Sequence, residues 1–387
     1  MANRIYFANQ QVAFRRDGST GTTAWWPAHG VQSVAVTTTF NLEQAFELGQ
    51  LAIYENIEGV PDIEVSLSKV LDGYPLLYHL STNRAYANAN VDSKPTLAGR
   101  SNAKCIVALS IFPDTQDSAS GDPTTQLEMS GLFCSSVSYN FPLEDNFSED
   151  VTLVGNNKGW RKSDNTAIGC ATPGWLLAKA TGYFNNNDDT PYGTGGVNRR
   201  ENLSFNGSDA ADAGGHDYTY LPTEIPGVSS NGWLNPTVDG NVAHLQSITV
   251  STDLGREELF ELGTRQPYAR VVTFPVEVTA DIEVLSISGD MINAFADGCN
   301  AAASCATDYD NLSNQRIRIA TCEGTRIYLG EKNKLASINY GGGDAGGGNV
   351  TVSYSYTTFN DFTVIHPEDP DASGDNWWQH RADYLTA

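Results

Sequence analysis

A chain of 387 residues with 40% hydrophobic and 10% aromatic content can bury a sizeable core, which excludes a disordered polymer. Its 46 acidic against 23 basic residues give a net charge of −23, which disfavours attachment to phosphate backbones and anionic lipid. Recurrent Thr, Val, Ser, Tyr, Asn and Gly are the mixture of half-buried strands joined by tight turns.

The opening stretch, MANRIYFANQQVAF, has no apolar core of signal-peptide length, and no segment reaches the roughly 20 apolar residues of a membrane span. The expectation is synthesis in the cytoplasm. Residues 31–38 alternate in the manner of a strand. From Asn41 a capping side chain, early acids and a closing Gly49 predict a one- or two-turn helix ending in a left-handed glycine. A second strand follows, then the strand-like IEVSLSKV of residues 63–70. Residues 73–80 predict a short helix entered from Asp72, with Pro75 in its first turn. Val137–Phe141 is again β-like. Residues 155–240 are rich in Gly, Asn, Asp and Pro and read as a long loop or linker, with Trp160, Trp175 and Trp233 as anchors.

Beyond that linker the pattern returns. Residues 245–275 match residues 31–61 without a gap at an offset of 214, with 11 identities over 31 positions. They include Gln32/Gln246, the blocks Phe46–Gly49 and Phe260–Gly263, Tyr54/Tyr268 and Pro61/Pro275. This self-similarity indicates a tandem duplication. The second copy repeats the expected strand and the short helix closing on Gly263. IEVLSISG at 282–289 is set against IEVSLSKV, and a short helix is expected at 291–297, from Asp290 to Gly298. Val352–Tyr356 is matched to Val137–Phe141 at an offset of 215, which implies two modules of equal length. If Arg15–Arg16 and Arg199–Arg200 correspond, the second module carries 30 extra residues at its entrance. The reading is mainly β: residues 1–154 a first module, 155–240 a loop-rich insertion, 241–387 a second module with a C-terminal arm.

No catalytic constellation stands out. GGGDAGGGN (341–349) lies between strand-like segments with no helix to follow, so it reads as a hairpin tip and not a phosphate loop. Residues 369–375 resemble half a calcium loop but contain Pro370, and His380 stands where the bidentate Glu is required. Ser66–Lys69 fits S-x-x-K inside a strand pattern, which argues against catalysis. The six histidines (His29, His79, His216, His244, His366 and His380) show no ligand spacing. The cysteines, Cys105, Cys134, Cys170, Cys299, Cys305 and Cys322, form no C-x-x-C; Cys299 and Cys305 share one loop and could pair in an oxidising medium. The aromatic tail from Trp377 folds back on its module or docks on a neighbour. No catalytic, cofactor-binding or metal residue is assigned.

Residues 31–82 and the segment ATCEGTRIYLGEKNKLASINYGGGDAGGGNVTVSYSYTTFNDF (320–362) resemble phage tail-tube subunits. The resemblance implies two β-sandwich or barrel modules, each with a flanking helix and a long β-hairpin. It also implies that hairpins of neighbouring modules join edge to edge around a lumen. Six modules to a ring would make three chains a pseudo-hexameric ring, and rings would stack head to tail. The implied partners are the chain itself, sheath, baseplate and neck proteins; DNA would pass an acidic lumen without specific binding. Other readings are a tube terminator, baseplate or spike-like protein on the same module, or a two-module adhesin or sugar-binding protein.

Overall fold

A computed structural model describes residues 4–16, 25–49, 51–82, 97, 102–113, 123–162, 196–205, 218–229, 232, 234, 243–292, 312–343 and 348–367. The chain is mainly β. Its first half contains β1 (Gln10–Arg16), β2 (Trp25–Pro27), β3 (Val31–Thr39), β4 (Leu42–Phe46), β5 (Ile53–Glu58), β6 (Asp62–Val70), helix α1 (Leu77–Ser81), β7 (Cys105–Ile111), β8 (Thr125–Pro142), β9 (Ser148–Gly155) and β10 (Asn157–Lys162). The second half contains β11 (His244–Asp253), β12 (Arg256–Leu259), β13 (Ala269–Val272), β14 (Glu277–Leu285), β15 (Arg318–Ala320), β16 (Arg326–Tyr328), β17 (Lys334–Gly341), β18 (Thr351–Phe359) and β19 (Thr363–Ile365).

Eight strands form one antiparallel run in the order β3-β6-β9-β8-β11-β14-β18-β17. Strand β8 belongs to two layers. Residues 125–132 pair with β7 or β10, whereas residues 133–142 pair with β9 and β11. Gly131, at φ +68°, sits where the strand passes from one layer to the other, a bend that a side chain would resist. The second layer continues from β7 through β1 to β2.

Period-two patterning decides which face is inside. Ile63, Val65 and Leu67 of β6, Val151 and Leu153 of β9, Val278, Ala280, Ile282 and Val284 of β14, and Val352, Tyr354 and Tyr356 of β18 are all buried. They belong to one contiguous core that spans both halves of the chain. Each large side chain in it contributes about 1.5–3 kcal/mol of burial.

The structure corrects several sequence expectations. The segments from Asn41 and Asp253 are not helices: they form β4 and β12, the first strands of hairpins β4–β5 and β12–β13. The left-handed glycines are present, Gly49 at φ +95° and Gly263 at +94°, but they turn hairpins and do not close helices. Strand pairing satisfies the backbone here, so a capping-like residue has no helix to cap. Helix α1 starts at Leu77 with Leu76 as its cap, which leaves Pro75 outside it. Met291 and Ile292 are in no regular element, and 293–297 lie outside the described residues.

Two sequence matches are also out of register. Val31 faces Lys69 and Thr38 faces Ile63, as Leu245 faces Val284 and Thr252 faces Val278. Ile63 therefore takes the place of Val278, not Ile282. Similarly, the second half of β8 occupies the place of β17, and β9 that of β18. Val137 thus aligns with Ile338 and not Val352. The similar VSY strings misled because neighbouring half-buried strands draw on the same small alphabet. With the offset falling from 214 to about 201, the two strand sets are not equally spaced along the chain.

Within 155–240, β10 pairs with β8, and Tyr218, Leu221 and Ile225 are buried. Bridges Leu203–Thr321 and Tyr220–Arg318 tie this region to the second half. Trp160 packs against the core, while Trp175 and Trp233 are outside the described residues.

Candidate assembly interface

The eight-stranded run has a second face, opposite the core. On β6 it presents Glu64, Ser66 and Ser68; on β9 Asp150 and Thr152; on β8 Ser136, Ser138 and Asn140. Across the midline it continues with Ser247, Thr249 and Ser251 of β11, Thr279, Asp281 and Glu283 of β14, Ser353 and Ser355 of β18, and Ser337 and Asn339 of β17. The one lysine of this face among the described strands is Lys334, opposite Thr357 on the edge strand β17. Short hydroxyls link neighbouring strands: Thr249 donates to Asn140 Oδ1 (3.2 Å), Ser251 bonds Thr279 (2.8 Å), and Ser247 donates to Glu283 (3.2 Å). A carpet of Ser, Thr and Asn with scattered carboxylates results. The sequence carried a signal for it, the repeated S-x-S of Ser66/Ser68, Ser136/Ser138 and Ser353/Ser355, but not the fact that these runs lie side by side.

The two strand quartets, β3-β6-β9-β8 and β11-β14-β18-β17, repeat small irregularities. Each has a bulge at the matching glutamine, between Val31 and Ser33 and between Leu245 and Ser247. In both, the glutamine Nε2 donates to the carbonyl two residues earlier, Gln32 to Gly30 (3.2 Å) and Gln246 to His244 (3.3 Å). A second matching pair of bulges falls between Cys134 and Ser136 and between Leu335 and Ser337. The hairpins share register as well: Leu42 faces Glu58 where Arg256 faces Val272, and Ala45 faces Glu55 where Leu259 faces Ala269.

Where the quartets meet, β8 pairs with β11 from Pro142–Ser247 to Ser136–Asp253. Leu254 N–H then donates to Ser135 O (2.8 Å), and the Leu254 side chain is fully buried. Hairpin β12–β13 crosses this seam and is held by three arginines. Arg256 donates from Nε (2.8 Å) and Nη2 (2.6 Å) to Cys134 O and lies over the Phe133 ring. Arg270 pairs with Glu258 and bonds Asp62 and Asn156, both at 3.2 Å. Arg265 donates to the carbonyls of Glu58 and Gly59.

The outer edges lack this cover. Among the described residues, strand β3 pairs only with β6, and β17 only with β18. Phe40, at the position of Leu254, is 70% exposed. Every residue of β5 is exposed, as are Leu42, Leu51 and Ile53, whereas the exposed tip residues Phe46 and Leu48 have equally exposed counterparts in Phe260 and Leu262. A groove of about 550 Å³ is lined by Phe40, Leu42 and Pro61 at the base of this hairpin together with Arg265 and Gln266.

Under the sheet lies a buried polar cluster in the first quartet only. Glu149 accepts the N–H groups of Leu77 (2.6 Å) and Tyr78 (3.0 Å) at the start of α1 and the Tyr139 hydroxyl (2.9 Å). Burial pushes its carboxyl up, against the lowering effect of these donors. Lys69, opposite Glu149 in the ladder, is buried, pairs with Asp72 and donates to His29 O (2.8 Å). In the second quartet the same cross-strand pair is Val284–Val352.

The candidate chemistry of the sequence is dispersed. Ser66 and Lys69 point to opposite faces of β6, so S-x-x-K forms no nucleophile–base pair. His79 Nε2 contacts Val364 O (3.1 Å), and His29 stacks on Tyr74. Among the described residues no group of three His, Cys, Asp or Glu could hold a metal. Burial pushes the Cys134 thiol up to about 12, which leaves it unreactive. Gly341 ends β17, and Gly342, Gly343, Gly348 and Asn349 belong to the β17–β18 connection. Cys299, Cys305, His216, His380, residues 369–375 and the Trp377 tail lie outside the described residues. No described helix is long and apolar enough to cross a membrane.

No protein-family profile matches the chain, and no curated protein sequence does. Among solved structures it is similar to a chain of the anti-feeding prophage tube-terminating cap (14% identity, TM-score 0.29, covering 42% of this chain and 93% of that one). It is also similar to a chain of the anti-feeding prophage baseplate (9%, 0.27, 42% and 98%). A third is from the sheath–tube complex of an extracellular contractile injection system (13%, 0.27, 41% and 92%). At such identities and scores the likeness assigns no function.

Proposed function

We propose that this chain is a structural subunit of a phage-type tail tube, built from two copies of one module. On this reading its copies join through their sheet edges into trimeric, pseudo-sixfold rings. The rings stack into a conduit whose lining is the hydroxyl and carboxylate face of the eight-stranded run. The carrying observation is the β8–β11 seam. It joins one quartet to the next, and the strands left open at the two ends, β17 and β3, are those in the positions of β8 and β11. Repeating the seam between chains uses the edges that a monomer would have to protect. A lining of hydroxyls and carboxylates, with Lys334 on the edge strand β17 as its one lysine among the described strands, suits passage of duplex DNA, which carries about one charge per 1.7 Å of axis.

Electron microscopy of the purified protein tests the reading. Long tubes with threefold rings are expected; single rings would favour a tube terminator, and monomers at all concentrations would overturn the proposal. The lining is tested separately with Ser138→Lys and Thr249→Lys. Tubes of these variants should retain duplex DNA in low salt, while tubes of the natural sequence should not.

A further inference from the structure

We infer that the contact between successive copies is an apolar rebuild of the arginine-held contact inside each chain, with hairpin β4–β5 of one copy seated on the ends of β14, β17 and β18 of the next. The inference rests on the edge-to-edge reading above and adds its register and chemistry. Along β3 and the β4–β5 hairpin the counterpart lies 214 residues on; along β8 it lies 201 on, and along β9 203 on. Transposing the β8–β11 pairs places Ala35 opposite Gly341, Val36 opposite Tyr340, Thr37 opposite Asn339, Thr38 opposite Ile338 and Thr39 opposite Ser337. Phe40 then enters the position in which Leu254 is buried, and its N–H meets Ala336 O as that of Leu254 meets Ser135 O.

The substitutions across this second seam are coordinated. The three arginines that fasten β12–β13, Arg256, Arg265 and Arg270, are Leu42, Leu51 and Asn56 in β4–β5. Their partners change as well. Cys134 becomes Leu335, Asp62 becomes Glu277, and Asn156 becomes Phe359, which is 56% exposed in the single chain. Leu42 thus meets Leu335, Asn56 meets Glu277 beside Phe359, and Leu51 lies on the Val272–Thr273 backbone. A hairpin that merely projected into water would gain nothing from replacing three cations by two leucines and an asparagine, still less from a phenylalanine at the matching acceptor. The occupant that fits is a second copy of this chain. Residues 40–61 carry four glutamates and no basic residue, so this junction depends on apolar burial and the ladder, not on ion pairs.

Cysteine pairing tests the register. With Thr37→Cys and Asn339→Cys in one chain, non-reducing electrophoresis should show a ladder of covalent oligomers, because facing strand residues lie within disulfide reach. Val36→Cys with Asn339→Cys, on opposite faces, should not, and each single variant supplies the background from native thiols. Phe359→Asn tests the chemistry: its melting curve should be unchanged, and the concentration needed for assembly should rise about tenfold or more. Assembly without cross-links, or with an unchanged threshold for Phe359→Asn, overturns this inference while leaving self-assembly intact. Absence of assembly by the natural protein overturns both.

Discussion

Glu149 shows how one residue can fix a local structure that neighbouring patterns leave open. Its two oxygens take the first free N–H groups of α1 and the Tyr139 hydroxyl inside the core. Glu149→Val, which copies Val352 of the other quartet, would orphan these donors and should cost about 2–5 kcal/mol, measured by urea unfolding. The carboxyl is held above its ordinary value in the folded chain, so folding binds protons. Its contribution is therefore fully present below the unfolded carboxyl value and is lost as pH rises towards the folded one. Glu149→Gln should remove that part of the pH dependence. Arg270 is a second such residue, nearly buried among Glu258, Asp62 and Asn156. Arg270→Leu should destabilise by about 1.5–3 kcal/mol, because the acids lose a charge-assisted donor.

At the scale of elements, equivalent strands meet different surroundings. Leu254→Ala opens a cavity in the seam and should cost about 2–5 kcal/mol. Phe40→Ala removes a side chain that water already reaches, so the melting temperature of the isolated chain should stay unchanged while assembly weakens. Calorimetry of both variants separates the two environments. The hairpin tips make a further pair: nothing lies within 4 Å of a Cβ at Gly49 or Gly263, but both have positive φ. Gly263→Ala should cost about 1–2 kcal/mol of left-handed strain without a clash. The strands themselves were legible from alternation at Val31–Thr38 and Ile63–Val70. The hairpins were misread as helices because a capping residue, early acids and a closing glycine describe a helix end equally well. What decides is the partner strand, and its pairing through residues 53–58 and 269–272 is not a local property.

At the scale of the whole molecule, eight strands from distant parts of the sequence lie in one sheet with a core face and a polar face. The acidic balance of the chain is then given direction: Glu64, Asp150, Asp281 and Glu283 stand on a single face whose one lysine among the described strands, Lys334, lies on the edge strand. By itself the sequence determined the β class, the matched segments at 31–61 and 245–275 and the left-handed glycines, because alternation, identity and turn chemistry are local. Tertiary structure alone decided that β8 serves two layers, that β17 answers to β8 and β18 to β9, and which of the two similar hairpins is fastened across a seam by arginines and which is not. Register and edge exposure are properties of paired strands. At the seam the partner lies more than a hundred residues away, as Asp253 does from Ser136, and no window of sequence contains both.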